Sequence, residues 1–378
     1  MRNSRKNPIV KILLAIIGIP LSIIGILIIL LYIPSVQQYA IESICQKIYQ
    51  SSGFTIAAAD ARLAFPLKLK IDDFVFSKDD TVYAKSERIN LNISPWPLLS
   101  GEIELNYIEL ENTSIETQEL LPEVAIEGEI AFFRAVARNI DLAHGNANIR
   151  QLHIDGTRLN ITLTDTLPDN EKSKAPADWT IALRRGAISN SSIGIQIPQD
   201  TLSTKIEIGK ANIENLVADI AAQSYMAELL TLKESKARYD KDNYSKEERP
   251  LEHIALEKIA FDLSGIEITP AVAKLSINSM ALAQPQGVVL TESKGVICCD
   301  TASLTLSDFT LRSKSGSSLK ATCNIPLSAL KSSKPLDIDA ELDASLNKSD
   351  LVALLTAEQY NNLAIFQEKM FATRIKAH

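Results

Sequence analysis

Chemistry in this chain would have to come from few side chains. The four histidines, His144, His153, His253 and His378, show no His-x-x-x-His or similar ligand spacing. His153 lies between Leu152 and Ile154 on the outward side of an alternating segment, where a solvated histidine is the default reading. Asp72-Asp73 is the most acid-like pair, yet neighbouring strand residues face opposite ways unless the backbone is bulged between them. Cys45 stands alone, Cys298 and Cys299 are adjacent, and Cys323 follows. That is no C-x-x-C metal or redox spacing, and at most one of the adjacent pair could meet Cys323. There is no Gly-x-Ser-x-Gly elbow and no Gly-rich phosphate loop. Trp96 and Trp179 could stack a ligand, although packing a strand end or a sheet face is their ordinary use. The residue types therefore point to no metal site, no cofactor and no enzyme.

The elements that hold these residues say more. The chain has 378 residues, 46% hydrophobic, only 6% aromatic and 22% charged, so it is aliphatic-rich and folded rather than disordered. Its 46 Asp and Glu against 39 Lys and Arg give a charge of −7, which argues against nucleic acid as a partner.

Ile12 opens and Ile33 closes a run of 22 residues with no charge, rich in Ile and Leu and containing Pro20. At about 1.5 Å per residue it crosses a hydrocarbon core of roughly 30 Å, so residues 1–33 read as a basic tip and a transmembrane anchor. Arg2, Arg5, Lys6 and Lys11 precede the run, which leaves the N-terminus cytoplasmic and sends the remainder across the membrane. A cleaved signal peptide is the rival reading, but no Ala-x-Ala-like site follows in Tyr32-Ile33-Pro34-Ser35-Val36.

Residues 34–52 read as a helical connector, and residues 53–346 as strands. Alternation of period two recurs, as in Leu159-x-Ile161-x-Leu163. A more specific spacing, apolar-x-apolar-x-x-apolar-x-apolar, occurs at 69/71/74/76, 103/105/108/110, 147/149/152/154, 206/208/211/213, 254/256/259/261, 275/277/280/282 and 304/306/309/311. No helix face fits it, and a plain strand would flip its second half to the wrong side. A β-bulge at the central pair restores the face, and those pairs, such as Asp72-Asp73 and Glu257-Lys258, are polar in all but Tyr107. A two-residue hairpin is the alternative, though most of these pairs lack Asn-Gly or Asp-Gly chemistry. Repeated bulges should curve about twenty strands of roughly ten residues each into a trough of roughly 95 Å. Helical candidates are few: residues 122–138, with Ile126, Ile130, Phe133 and Ala137; residues 218–232, which are ambiguous; and an amphipathic helix over residues 347–378, clearest at 351–370. They cannot roof such a sheet, so its apolar face is either closed by a second sheet or left for an apolar ligand. The polar stretches 165–178 and 240–250 read as loops, because the pattern resumes after each.

The runs Gly53-Phe54-Thr55-Ile56, Leu63-Ala64-Phe65-Pro66-Leu67-Lys68-Leu69, Ala84-Lys85-Ser86-Glu87-Arg88-Ile89-Asn90-Leu91-Asn92-Ile93, Pro97-Leu98-Leu99-Ser100-Gly101-Glu102-Ile103 and Ile108-Glu109-Leu110-Glu111 resemble, in order and spacing, the start of AsmA/TamB proteins. With the anchor, the resemblance covers about residues 1 to 117. Between those runs, Ser94 and Pro95 suit the start of a one-turn helix. The resemblance implies an inner-membrane protein whose periplasmic β-groove carries phospholipid toward the outer membrane. Family members that bridge the envelope are several times longer and carry a distinct C-terminal domain, so this chain is expected to need a partner, an oligomer or a further segment.

The fold expected is thus mainly β: an N-terminal transmembrane helix, an elongated, curved antiparallel β-groove with bulged strands, and a C-terminal amphipathic helix. The groove lining is expected from Leu69, Ile71, Phe74, Phe76, Leu91, Ile93, Ile103, Leu105, Ile108, Leu110, Ile161 and Leu163. The partners expected are phospholipid, the inner membrane, and an outer-membrane β-barrel or another envelope protein. The competing function is a membrane-anchored docking factor in outer-membrane protein assembly, with a β-structure closed on itself.

Overall fold

The computed structural model describes residues 33–64, 67–98, 104–117, 120, 124–141, 143–163, 179–241, 253–285, 287–327, 339–354 and 370–377. Of the anchor expected from Ile12 to Ile33, residues 12–32, Pro20 among them, lie outside these, and only Ile33 is described. Among the described residues no helix is long and apolar enough to cross a membrane.

Helix α1 (Pro34–Ser52) begins with a proline in its first turn, where a missing N–H costs no hydrogen bond. It stops at Gly53, whose φ of 74° lets its N–H reach the Tyr49 carbonyl. Strands follow: β1 (Thr55–Ala57), β2 (Asp60–Ala64), β3 (Lys68–Lys78) and β4 (Thr81–Ile93). After the one-turn α2 (Pro95–Leu98) come β5 (Glu104–Glu116), β6 (Val124–Asp141), β7 (Asn146–Leu163), β8 (Thr180–Ile197), β9 (Leu202–Asp219) and β10 (Ser224–Lys241). Then come β11 (His253–Ile268), β12 (Val272–Ala283), β13 (Val289–Asp300), β14 (Ser303–Ser313), β15 (Ser318–Pro326) and β16 (Asp339–Asn347). Helix α3 (Lys348–Leu354) and strand β17 (Met370–Ala377) end the described chain. Ser94 does not spend its hydroxyl on α2; it donates to Glu104 at 3.1 Å.

All seventeen strands form one long, curved, open sheet. From β3 onward each strand pairs with the next in chain order, and β1 and β2 lie end to end along the other edge of β3. No second sheet covers it among the described residues. Several expectations are corrected. Residues 124–141 are strand β6, not a helix; residues 218–232 are the end of β9 and the start of β10. At the C-terminus only Lys348–Leu354 is helical among the described residues, and Met370–Ala377 pairs with β16 as a strand. Finally, β7 and β8 run parallel within the otherwise antiparallel sheet.

Strands β6 to β10 are each 18 residues long, far beyond the expected ten, because each is creased part-way along rather than ended there. All seven polar pairs fall inside strands, none at a hairpin tip. The pairings are irregular beside 106/107, 150/151, 257/258, 278/279 and 307/308. At 72/73 and 209/210 the register is unchanged, contrary to a one-sided bulge, because both strands carry the extra residue at the same level. Asp73, Glu87, Asn112, Ala131, Gly156, Asn190, Gly209 and Glu234 thereby stand level across β3 to β10. Of these, Asp73, Asn112, Gly156, Asn190 and Glu234 have positive φ, between 46° and 63°. A left-handed residue turns the strand over, so the apolar positions on its two sides share one face. In β7, Gln151 and His153 are exposed around a sheltered Leu152 before the crease, and Arg158 and Asn160 around a sheltered Leu159 after it.

The crease disturbs ladder hydrogen bonds; of the buried hydroxyls beside it, Ser191 and Ser235 take up backbone groups, Thr113 Oγ1 bonds Ser86 Oγ, and Thr157 Oγ1 has no partner among the described residues. Thr113, Thr157, Ser191 and Ser235 each follow a left-handed residue, and their exposures are only 7, 7, 6 and 0%. Ser235 Oγ donates to the Lys233 carbonyl at 2.9 Å and accepts the Gly209 N–H at 3.1 Å. Ser191 Oγ donates to the Ser189 carbonyl at 2.7 Å and accepts the Thr157 N–H at 3.2 Å. Each such bond contributes about 1 kcal/mol, enough to offset the roughly 1–2 kcal/mol of a left-handed non-glycine residue.

Candidate functional site

Directly paired residues of neighbouring strands present their side chains on the same face, so the register converts strand positions into lanes running across the sheet. One lane is Ile71, Ile89, Leu110, Phe133, Ile154, Ile188, Ala211, Leu232, Phe261 and Met280, apolar on every strand from β3 to β12. A second joins Leu69, Leu91, Ile108, Ala135, Leu152, Gly186, Ile213, Leu230, Leu263 and Ile277 over the same strands. A third runs from Phe76 through Ala84, Ile115, Gly128, Leu159, Ile193, Ile206 and Ala237 to Leu256. Most of these side chains are half-buried, sheltered by their neighbours in the sheet, and among the described residues no layer lies above them.

The expected lining residues are distributed over this face. Leu69, Leu91 and Ile108 are neighbours in one lane, and Ile71 and Leu110 belong to another. Phe76 heads the third, stacked by Phe54 at 4.7 Å between ring centroids. Ile161 pairs with Ile126, and Leu163 with Val124, at the far end of β7. Phe74 is opposite Ser86 and begins the row of buried hydroxyls that divides the apolar lanes. Ile93 and Leu105 pair at the other end, where Leu105, Ala137, Ile140 and Ala147 form a buried cluster with Ile93, Ile108 and Trp179 packed against it. Leu105 is 8% exposed, a packed core residue rather than an open surface. Ile103 lies outside the described residues.

Residues further along the lanes, such as Ile188, Leu232 and Phe261, were not singled out from sequence. Of these, only Phe261 carried a signal, as the last position of the spacing 254/256/259/261; Ile188 and Leu232 fall in no copy of it. The hydroxyl row had one too: Asn112-Thr113, Gly156-Thr157 and Asn190-Ser191 repeat a turn-forming residue followed by a hydroxyl inside a strand.

The opposite face is charged, and many of its charges are paired. Arg88 bridges Asp72 at 3.2 Å and Glu111 at 2.8 Å across three strands. Lys70 and Arg88 hold the Asp72 carboxyl below its ordinary range and pair with it. Glu109 is 7% exposed; burial pushes its pKa up, but hydrogen bonds from Tyr107, Asn90 and Arg134 outweigh that and hold it low. His153 is exposed on this face, with its ring edge-on to Phe132. Among the described residues no group of His, Cys, Asp and Glu could hold a metal, and the four cysteines are free. No protein-family model matches the chain, and no curated protein matches it.

Proposed function

We propose that this protein carries phospholipid, its acyl chains lying in the apolar lanes of the open sheet and its headgroup at the wet margin. The observation behind this reading is the unbroken lane from Ile71 to Met280. Ten neighbouring strands at about 4.8 Å spacing make it roughly 43 Å long, more than enough for an extended acyl chain. A surface of that length and character is uncommon on a soluble domain, where large apolar patches mark binding sites. Lanes lined by aliphatic groups recognise methylene rather than a particular lipid, so transfer needs no catalytic residue.

The direction and compartment come from the resemblance of residues 1 to 117 to AsmA/TamB proteins: anchored in the inner membrane, extending into the periplasm, delivering lipid toward the outer membrane. The docking-factor alternative was built on a closed β-structure, and an open sheet favours the conduit over it.

A photo-crosslinking residue at Leu232, in the lane, should capture phospholipid in cells, and one at the adjacent exposed Lys233 should not. Equal capture at both positions, or none at Leu232 in a folded protein, would overturn the conduit.

A further inference from the structure

On the charged face, where β5, β6 and β7 each carry an out-of-register residue, the sheet forms a hollow of about 790 Å³. The extra residues are Asn106, Arg138 and Arg150, and all three line it. Lys68 enters from β3, and Asn92 adds a second amide from β4.

The charges in this hollow do not balance. Several neighbouring cations on the same face are paired: Lys70 with Asp72, Arg88 with Asp72 and Glu111, Arg134 with Glu109, Arg158 with Glu129. Lys68, Arg138 and Arg150 pair with no carboxylate among the described residues. Arg150 reaches only the Ala137 carbonyl, at 3.4 Å. The single carboxylate in the lining, Glu109, is already saturated: Asn90 donates to one oxygen, and Tyr107 and Arg134 to the other. In a chain with more acidic than basic residues, three uncompensated cations around one concavity are a local inversion of charge.

We infer that this hollow is a binding site for a phosphate group carried on a larger organic body. Guanidinium groups from β6 and β7 and an ammonium from β3 line the hollow, with the Asn92 and Asn106 amides as further donors. A tetrahedral dianion can accept from all of them, whereas a carboxylate has two oxygens in one plane. The volume exceeds what a bare phosphate fills, which leaves room for an ester substituent. The site is on the face opposite the apolar lanes and does not depend on lipid running in them.

The test uses the full chain in detergent, titrated calorimetrically with inorganic phosphate and, separately, with dihexanoyl phosphatidic acid. Saturable binding of either probe is expected, about tenfold or more weaker in the R138Q/R150Q double variant and unchanged in R158Q, whose arginine is paired on the same face. Binding of the lipid alone identifies a headgroup site; binding of inorganic phosphate as well identifies a site for phosphate esters in general. Should the double variant lose its strand signal in circular dichroism, Lys68→Gln at the exposed margin replaces it, with the same loss expected. No saturable binding of either probe, or binding equal in the folded variants and the parent, overturns the inference.

Discussion

Gln37 of helix α1 offers Leu63 of strand β2 the pair of hydrogen bonds that another strand would offer. Its Nε2 donates to the Leu63 carbonyl at 2.7 Å, and the Leu63 N–H donates to its Oε1 at 3.1 Å. β2 pairs with β3 on one side only, so this side chain blocks growth of the sheet at its N-terminal edge. Gln37→Ala should remove about 1–2 kcal/mol of local stability, speed hydrogen exchange at the Leu63 amide, and promote concentration-dependent self-association. Unchanged exchange at Leu63 would show that the helix does not guard the edge.

The crease makes its own demands on side chains. Ser235 is fully buried and serves both the Lys233 carbonyl and the Gly209 N–H. Ser235→Ala should cost about 1–3 kcal/mol in denaturant unfolding, because two backbone groups lose their partner without gaining water. Gly209→Ala should be at least as damaging: a Cβ there would stand 2.4 Å from the Glu234 carbonyl oxygen. Ser279→Ala, on the exposed side of β12, should stay within about 0.5 kcal/mol of the parent.

Helix α3 is tied to the sheet by one carboxylate. Asp350 Oδ2 accepts from Ser313 at 2.6 Å, from Ser317 at 2.5 Å and from Ser315. Burial pushes its pKa up, but the three hydroxyls outweigh this and hold it below the ordinary carboxylate range. A carboxyl whose folded pKa is depressed adds stability above its unfolded pKa and loses it as pH falls through the folded value. Acidification below about pH 4 should therefore loosen α3 before the rest of the sheet. Hydrogen exchange over residues 348–354 reads this, and Asp350→Asn should abolish the pH step while weakening the contact at neutral pH.

The repeated spacing made the strands, their bulges and the crease at 72/73 and 209/210 legible, because a turnover or bulge at a polar pair leaves a periodic trace in any one strand. The same trace misled at β6. Ile126, Ile130, Phe133 and Ala137 are spaced four, three and four apart, as on a helix; here they are alternate residues of a strand that turns over at 131/132. Spacing within one segment could not separate the two, whereas cross-strand pairs such as Phe133 with Leu110 and Ile154 do. Register itself was not legible. Leu105 matched the lining pattern as well as Leu110 did, and only pairing with Ile140 and closeness to Ala147 place it in a packed cluster.

That difference decides where the conduit should be tested. At Leu105 a charge would report on folding, since the residue is core; at Leu232 the side chain faces an open lane between Ala211 and Phe261. Leu232→Asp sets a carboxylate in the path of the acyl chain, at a cost of several kcal/mol to any methylene run passing it, while the carboxylate itself stays near solvent. Leu232→Ala keeps the lane apolar and should leave lipid in place, at a stability loss smaller than the roughly 2–5 kcal/mol of a fully buried leucine. The quantity to measure is phospholipid copurifying per protein, with melting temperature alongside. The Asp variant should lose lipid at near-parental stability and the Ala variant should retain it; an Asp variant that keeps its full lipid load would mean that acyl chains do not lie along this lane.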